Sequence, residues 1–112
     1  MTSSAGEAGQ DKPTKISFVY SNPTDPDAFE TAYPDQIALA RKLLGLTRLQ
    51  TSKVWPKEDG SPPPAYRLLD LYFADYAAAS AAAKEAGALV GATLEHATGG
   101  VVIAFAEVLE EA

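Results

Sequence analysis

AYRLLDLYFADYAAASAAAKEAG, Ala65 to Gly87, carries two opposite structural signals back to back. From Leu68 to Phe73 only Asp70 interrupts a run of aliphatic and aromatic residues, the composition of a strand. After Ala74 the chain turns alanine-rich, opens on Asp75 as an N-cap and closes on Gly87, which predicts a helix. A strand running directly into a helix is half of a repeated unit, and the flanking text supplies the rest. Upstream, PKEDGSPPP (Pro56–Pro64) is too rich in proline for regular structure and reads as a solvent-facing loop, and LTRLQTSKVW (Leu46–Trp55) before it reads as a strand. Earlier still, KISFVYS alternates, with Ile16, Phe18 and Tyr20 on one side of a strand that NPTDPD stops.

Between these strands the chain from about Asp27 to Leu44 predicts a helix, ended by Gly45 just past its last turn. Its stripe of Phe29, Tyr33, Ala40, Leu43 and Leu44 follows the spacing of a core-facing surface, and Gln36 sits in the middle of it. After Gly87, ALVGATLEHATGG carries a further short helical turn, and VVIAFAEVL (Val101–Leu109) is a fourth strand. The order strand, helix, strand, strand, helix, strand defines a ferredoxin-like βαββαβ sandwich of the α+β class, with a four-stranded antiparallel sheet.

Two helices cover one face of such a sheet, yet Val101 to Ala106 are all apolar. A second copy of the chain packing sheet on sheet would cover the other face, against the alternative of a single chain with one weakly solvated face. The expected assembly is a homodimer.

Composition bounds the chemistry. The 112 residues form one domain, able to bury ~65% of the surface of the extended chain. No cysteine is present, which removes disulfides, thiolate nucleophiles and iron–sulfur ligation, and the single histidine, His96, excludes a multi-histidine metal site within one chain. A net charge of -6 without a basic run argues against nucleic acid or an anionic membrane as partner. Residues 1–14 are small and polar, read as a disordered tail preceding a domain over 15–112, with neither signal-peptide regions nor a span-length apolar stretch. The expectation is a cytoplasmic protein. No phosphate-binding glycine pattern, nucleophile elbow or calcium loop occurs, so no cofactor is expected.

FETAYPDQIALARKLLGL resembles the first helix of the EthD-like family, in which an aromatic pair precedes a His-x-Pro-Leu motif and an Ala-Arg-Lys turn leads to a glycine. TSKVWPKEDGSPPPAYRLLDLYF is similar to the family's second and third strands and their Gly/Pro-rich connection. The resemblance spans nearly all of Lys15 to Val108. It implies a dimeric α+β barrel whose paired sheets enclose an apolar cavity, and a link to oxidative degradation. Counted back from Gly45, the family histidine falls on Gln36 and the proline on Ala38; counted forward from Phe29 and Tyr33, it falls on Ile37. Neither register supplies a histidine, so the family's most characteristic position is altered.

Candidate site residues follow, each with a plainer alternative. Gln36 can orient a ligand carbonyl or hydroxyl, or can satisfy the Glu30 carbonyl left free by Pro34. His96 can replace the missing helix histidine, or can serve as a cationic partner at a helix C-terminus, the favoured reading. Asp70 can be a catalytic acid, or can pair with Arg48, Lys53 or Arg67, again favoured. Tyr20, Tyr33, Trp55 and Tyr72, with Tyr66, can line a pocket or fill core and interface. Three functions remain open: a small-molecule-binding accessory homodimer; a cofactor-independent oxygenase or isomerase working through Gln36, a tyrosine, Asp70 or His96; and a dimerisation module with a filled core.

Overall fold

The computed structural model describes residues 12–111, so the expected tail lies outside the described residues as far as residue 11. Strands β1 (Thr14–Tyr20), β2 (Leu46–Lys53), β3 (Arg67–Phe73) and β4 (Val101–Glu107) form one antiparallel sheet in the order β2-β3-β1-β4. Helix α1 (Pro26–Arg41) joins β1 to β2, and helices α2 (Tyr76–Lys84) and α3 (Gly87–His96) join β3 to β4. The ferredoxin-like arrangement is the one the element order requires, with one helix more than the sequence pattern gave.

Each helix starts where its capping chemistry dictates. Asp25 and Asp75 accept from the backbone N–H of Ala28 at 3.1 Å and Ala78 at 2.8 Å, and Pro26 occupies the first turn of α1, where no N–H is needed. The α-helical part of α1 ends at Arg41 rather than Leu44, because Leu43 N–H bonds the Ala40 carbonyl in a tighter turn; Gly45 then takes a φ of 85° to reverse the chain. Leu44, expected on the buried stripe, is therefore 88% exposed. At the opposite end of the sheet, Gly99 lies so close to the Asn22 carbonyl that a Cβ would fall 2.0 Å from its oxygen, which ties the loop after β1 to the loop before β4.

Register sorts the side chains. On β1, Ile16, Phe18 and Tyr20 face the helices beside Leu71 and Leu69 of β3, as the alternation predicted, and Phe29, Tyr33 and Ala40 of α1 close over them. The far face is mixed rather than apolar. There Ser17 donates to Asp70 at 2.5 Å and Lys15 pairs with the same carboxylate at 3.5 Å. Asp70 is thus paired, but with neither Arg48, Lys53 nor Arg67: Ser17 lies opposite it in the ladder, and Lys15 lies opposite Tyr72, two residues further along β3 on the same face. Among the described residues, β4 at the sheet edge leaves large apolar side chains open on both faces, with Val102 63%, Ile103 41% and Phe105 42% exposed.

Candidate functional site

The last residue of β1, the middle of α1 and the last turns of α3 meet under the helices. Tyr20, Phe29, Tyr33 and His96 form a ring cluster there: Phe29 stacks on Tyr33 at 5.1 Å and meets the His96 imidazole edge-on at 4.8 Å, and Tyr20 lies 5.8 Å from Tyr33 and 6.2 Å from His96. Gln36, one turn after Tyr33, has no exposed surface and donates through Nε2 to the Tyr20 hydroxyl. Thr93, also fully buried, donates to the Leu89 carbonyl at 2.8 Å.

Three atoms in this cluster have no partner among the described residues: Tyr33 Oη, Gln36 Oε1 and His96 Nε2. Burial of such groups without partners costs about 1–3 kcal/mol each, so native interiors rarely leave them together. The free Glu30 carbonyl beside Pro34 is not what Gln36 serves, since its amide turns to Tyr20.

His96 corrects the expectation of a cationic helix cap. It is 6% exposed and faces rings, and loss of water pushes its pKa down, against the weaker upward pull of the Ala92 carbonyl and Glu95. The favourable field at the end of α3 is too small to offset that desolvation. Burial also raises Tyr20, opposed by Gln36 and Thr93, and raises Tyr33 far above an ordinary phenol, with Tyr20 adding to it. All three groups are uncharged at neutral pH.

The lowered imidazole pKa fixes a pH effect. Below the ordinary histidine pKa of about 6.5 the unfolded chain binds a proton that folded His96 refuses, so stability falls as pH drops through that value toward the lower folded one, and is flat above it. Urea midpoints should fall between pH 7.5 and 5 in the wild type and fall less in His96→Phe. Equal losses would show that His96 is readily protonated in place.

Between the cluster and solvent stands a polar network. Arg67 holds Glu30 through Nη2 at 2.5 Å while its guanidinium lies 4.9 Å over the Tyr33 ring, and Tyr66 donates to the same carboxylate at 2.8 Å with its ring 5.0 Å from Phe29. Burial alone would raise the Glu30 pKa, but the bonds from Arg67 and Tyr66 and the Arg67 charge hold it below the usual carboxylate range. A small void of about 60 Å³, lined by apolar side chains including Ile16, Phe18, Leu71 and Leu89, lies apart from this cluster toward the other end of β1.

Of the residues singled out in the sequence, Tyr20, Tyr33, Gln36 and His96 come together. Tyr72 and Asp70 lie on the opposite face of the sheet, where the Arg48 guanidinium covers the Tyr72 ring at 4.6 Å and Tyr72 donates to Gln50 at 3.2 Å. Trp55 joins neither group: β2 ends at Lys53, Pro56 stops the pairing, and the indole is 85% exposed. Thr93 and Glu30 were missed. The spacing Leu89, Thr93, His96 marks one buried helix face, and recognising α3 as a full helix would have exposed Thr93. Glu30 carries no signal of its own, because its partners Tyr66 and Arg67 are 36 and 37 residues away.

Sheet order, helices on one face and a polar-aromatic cluster between them define the class: a ferredoxin-like α+β domain with its candidate site on the helix side of the sheet. No family model matches the chain. An uncharacterised 11.0 kDa protein in the thcB-thcC intergenic region of Rhodococcus erythropolis is 33% identical over 96 residues, covering 83% of this chain and 92% of that protein. Among solved structures, an EthD family protein from Bacillus halodurans matches with a TM-score of 0.79 at 21% identity, over 87% of this chain and 99% of its own. SnoaB, a cofactor-independent oxygenase from Streptomyces nogalater, matches with a TM-score of 0.63 at 17% identity, over 90% of this chain and 96% of its own. A dimeric ferredoxin-like protein of unknown function from Thermobifida fusca matches with a TM-score of 0.65 at 12% identity, over 88% and 93%. The chain is a relative of the Rhodococcus protein and has the fold of the EthD family protein.

Proposed function

We propose that this chain is a cytoplasmic homodimer that binds an apolar or aromatic small molecule beneath α1 and α3, as an accessory to an oxidative degradation pathway. The observation that carries this reading is the set of three unpartnered polar atoms, Tyr33 Oη, Gln36 Oε1 and His96 Nε2, buried within one ring cluster. A ligand that supplies their missing hydrogen bonds gains the desolvation cost already incurred in the folded protein. Unlike the cavity between paired sheets that the family resemblance implied, this site is built within one chain. The pairing surface is the far face of the sheet, where Val19, Leu68 and Val102 surround the Ser17–Asp70–Lys15 group, and Tyr72 would look toward the partner. The dimeric neighbour from Thermobifida fusca supports that assembly.

A second reading, cofactor-independent oxygenation, is favoured by one specific feature. His96 offers an uncharged ring nitrogen in the same cluster, and SnoaB shares the fold. The fold by itself does not carry this chemistry.

A thermal-shift screen of the full chain against aromatic and terpenoid compounds tests the primary reading. A bound compound at about 100 times its Kd stabilises by ~2.7 kcal/mol, a rise of several degrees in Tm. Absence of any shift across the panel would end it. Oxygen uptake with any stabilising compound, lost in His96→Phe, would establish the second reading.

A further inference from the structure

The alanine-rich run that makes α2 a good helix also limits how much space it can fill. Ala79 and Ala82 are buried in the core, whereas Ala83 and Ala86 line the void of about 60 Å³ between the helices and the sheet. The sheet contributes Phe18 and Leu71 to it, and the helix side adds Leu43 and Leu89. Its wall is apolar throughout. Water needs several polar partners to occupy such a space, so it gains nothing by entering.

The void opens at the edge of the sheet. Ile103 and Phe105, opposite Phe18 and Ile16 in the ladder and therefore on the helix side, are exposed, as is Val90 of α3, and all three line the void. Among the described residues no strand lies beyond β4 to cover them. Leu94, one turn after Val90, and Tyr76, whose ring lies 5.8 Å from that of Phe105, add exposed apolar surface beside this mouth. Sheet-on-sheet pairing through the far face leaves the mouth open.

We infer that the void and its mouth bind a straight alkyl chain, whose end enters beneath Ala83 and Ala86 while the following carbons lie along Val90, Ile103 and Phe105. Size selects a chain end over a ring: at ~30 Å³ for a water-sized group the void takes about two carbons, well short of the ~150 Å³ that holds benzene. The apolar wall selects against a hydroxyl or carboxylate at the buried end, which would lose water and find no partner. A polar head group at the other end stays in water beside β4. Filling the void supplies dispersion contacts that its lining lacks, and each methylene taken from water strengthens binding about fourfold. This site is separate from the ring cluster, and its occupant is independent of any ligand there.

Methyl-resolved NMR titration of the full chain with 1-hexanol, 1-butanol, 1,6-hexanediol and cyclohexanol tests this. 1-Hexanol should give saturable shifts at Leu71, Leu89 and Ile103, with an affinity roughly tenfold above that of 1-butanol from its two further methylenes. 1,6-Hexanediol, which must bury a hydroxyl, and cyclohexanol, which exceeds the void, should each bind at least about fivefold more weakly than 1-hexanol. Ala83→Leu, which fills the void from α2, should weaken 1-hexanol by at least about fivefold. If that variant does not fold, nuclear Overhauser contacts from the terminal methyl of 1-hexanol to Leu71 and Leu89 in the wild type decide the point, and their absence sinks the site. Equal binding of 1,6-hexanediol or cyclohexanol would overturn the inference, as would undiminished binding to a folded Ala83→Leu variant. Shifts confined to Tyr20, Tyr33 and His96 would overturn it too, and so would the absence of any saturable shift, the result expected if a second copy covers Ile103 and Phe105.

Discussion

Phe29→Ala is expected to lower the Tm by roughly 12–25 °C, which takes a Phe→Ala cavity at about 3–5 kcal/mol and the sensitivity of a domain of this size at about 4–5 °C per kcal/mol. The ring has no exposed surface and touches four others, with centroids 5.2 Å from Tyr20, 5.1 Å from Tyr33, 5.0 Å from Tyr66 and 4.8 Å from His96. Those partners come from β1, α1, the approach to β3, and α3, so the residue is where the separate elements meet. A domain of this kind holds only about 5–15 kcal/mol in total, so the variant should sit close to unfolding at ordinary temperature. Phe29→Leu, which keeps most of the volume, should recover the larger part of the loss. Thermal melts followed by circular dichroism check both, and a drop below about 5 °C for Phe29→Ala would mean that the cluster collapses readily and does not join α1 and α3 to the sheet.

Tyr20→Phe should destabilise by about 1–3 kcal/mol, although it removes a single oxygen. Without that hydroxyl both ends of the Gln36 amide lack partners, in a region where neither residue has exposed surface. The double variant Tyr20→Phe/Gln36→Leu should be at least as stable as Tyr20→Phe alone and close to the wild type, because the polar pair is then replaced by apolar groups of similar shape. Ligand binding should be lost in the double variant. Denaturant unfolding of the four members of the cycle measures the coupling, about 0.5–3 kcal/mol for groups in one network. Strictly additive losses would contradict the pairing of Tyr20 with Gln36, and a stable double variant that still binds a compound found to stabilise the wild type would remove Gln36 from the site. A stable variant without binding would show that the buried polar cluster is maintained for its ligand.

The two predictions draw on residues of unequal legibility. Phe29 stands out in the sequence through its spacing with Tyr33 and Ala40, and the structure buries all three. Gln36 was visible as an amide on an apolar stripe, but its partner was not, since Tyr20 lies 16 residues earlier on a strand. For His96 the sequence offers its place near a helix end, and local position gives the sign of the helix field but not the packing. The packing, which puts Phe29 edge-on to the imidazole, outweighs the field. For Trp55 and Leu44 the sequence pattern extends past the last regular residue, and Pro56 and the turn at Gly45 end the elements before them.

By itself the sequence determined the order of the four strands and the helices between them, the buried side of β1, and the starts of α1 and α2. These follow from interactions within a few residues: side-chain alternation, aspartate caps, proline and glycine. Tertiary structure decided the rest. It gave Asp70 to Lys15 and Ser17 through strand register, made a full helix of Gly87–His96, and gathered Tyr20, Tyr33, Gln36, Thr93 and His96 from three elements into one buried cluster. The physical reason is that a buried polar group is defined by the partners it lacks or finds, and here those partners are remote in the chain and meet only once the helices lie on the sheet.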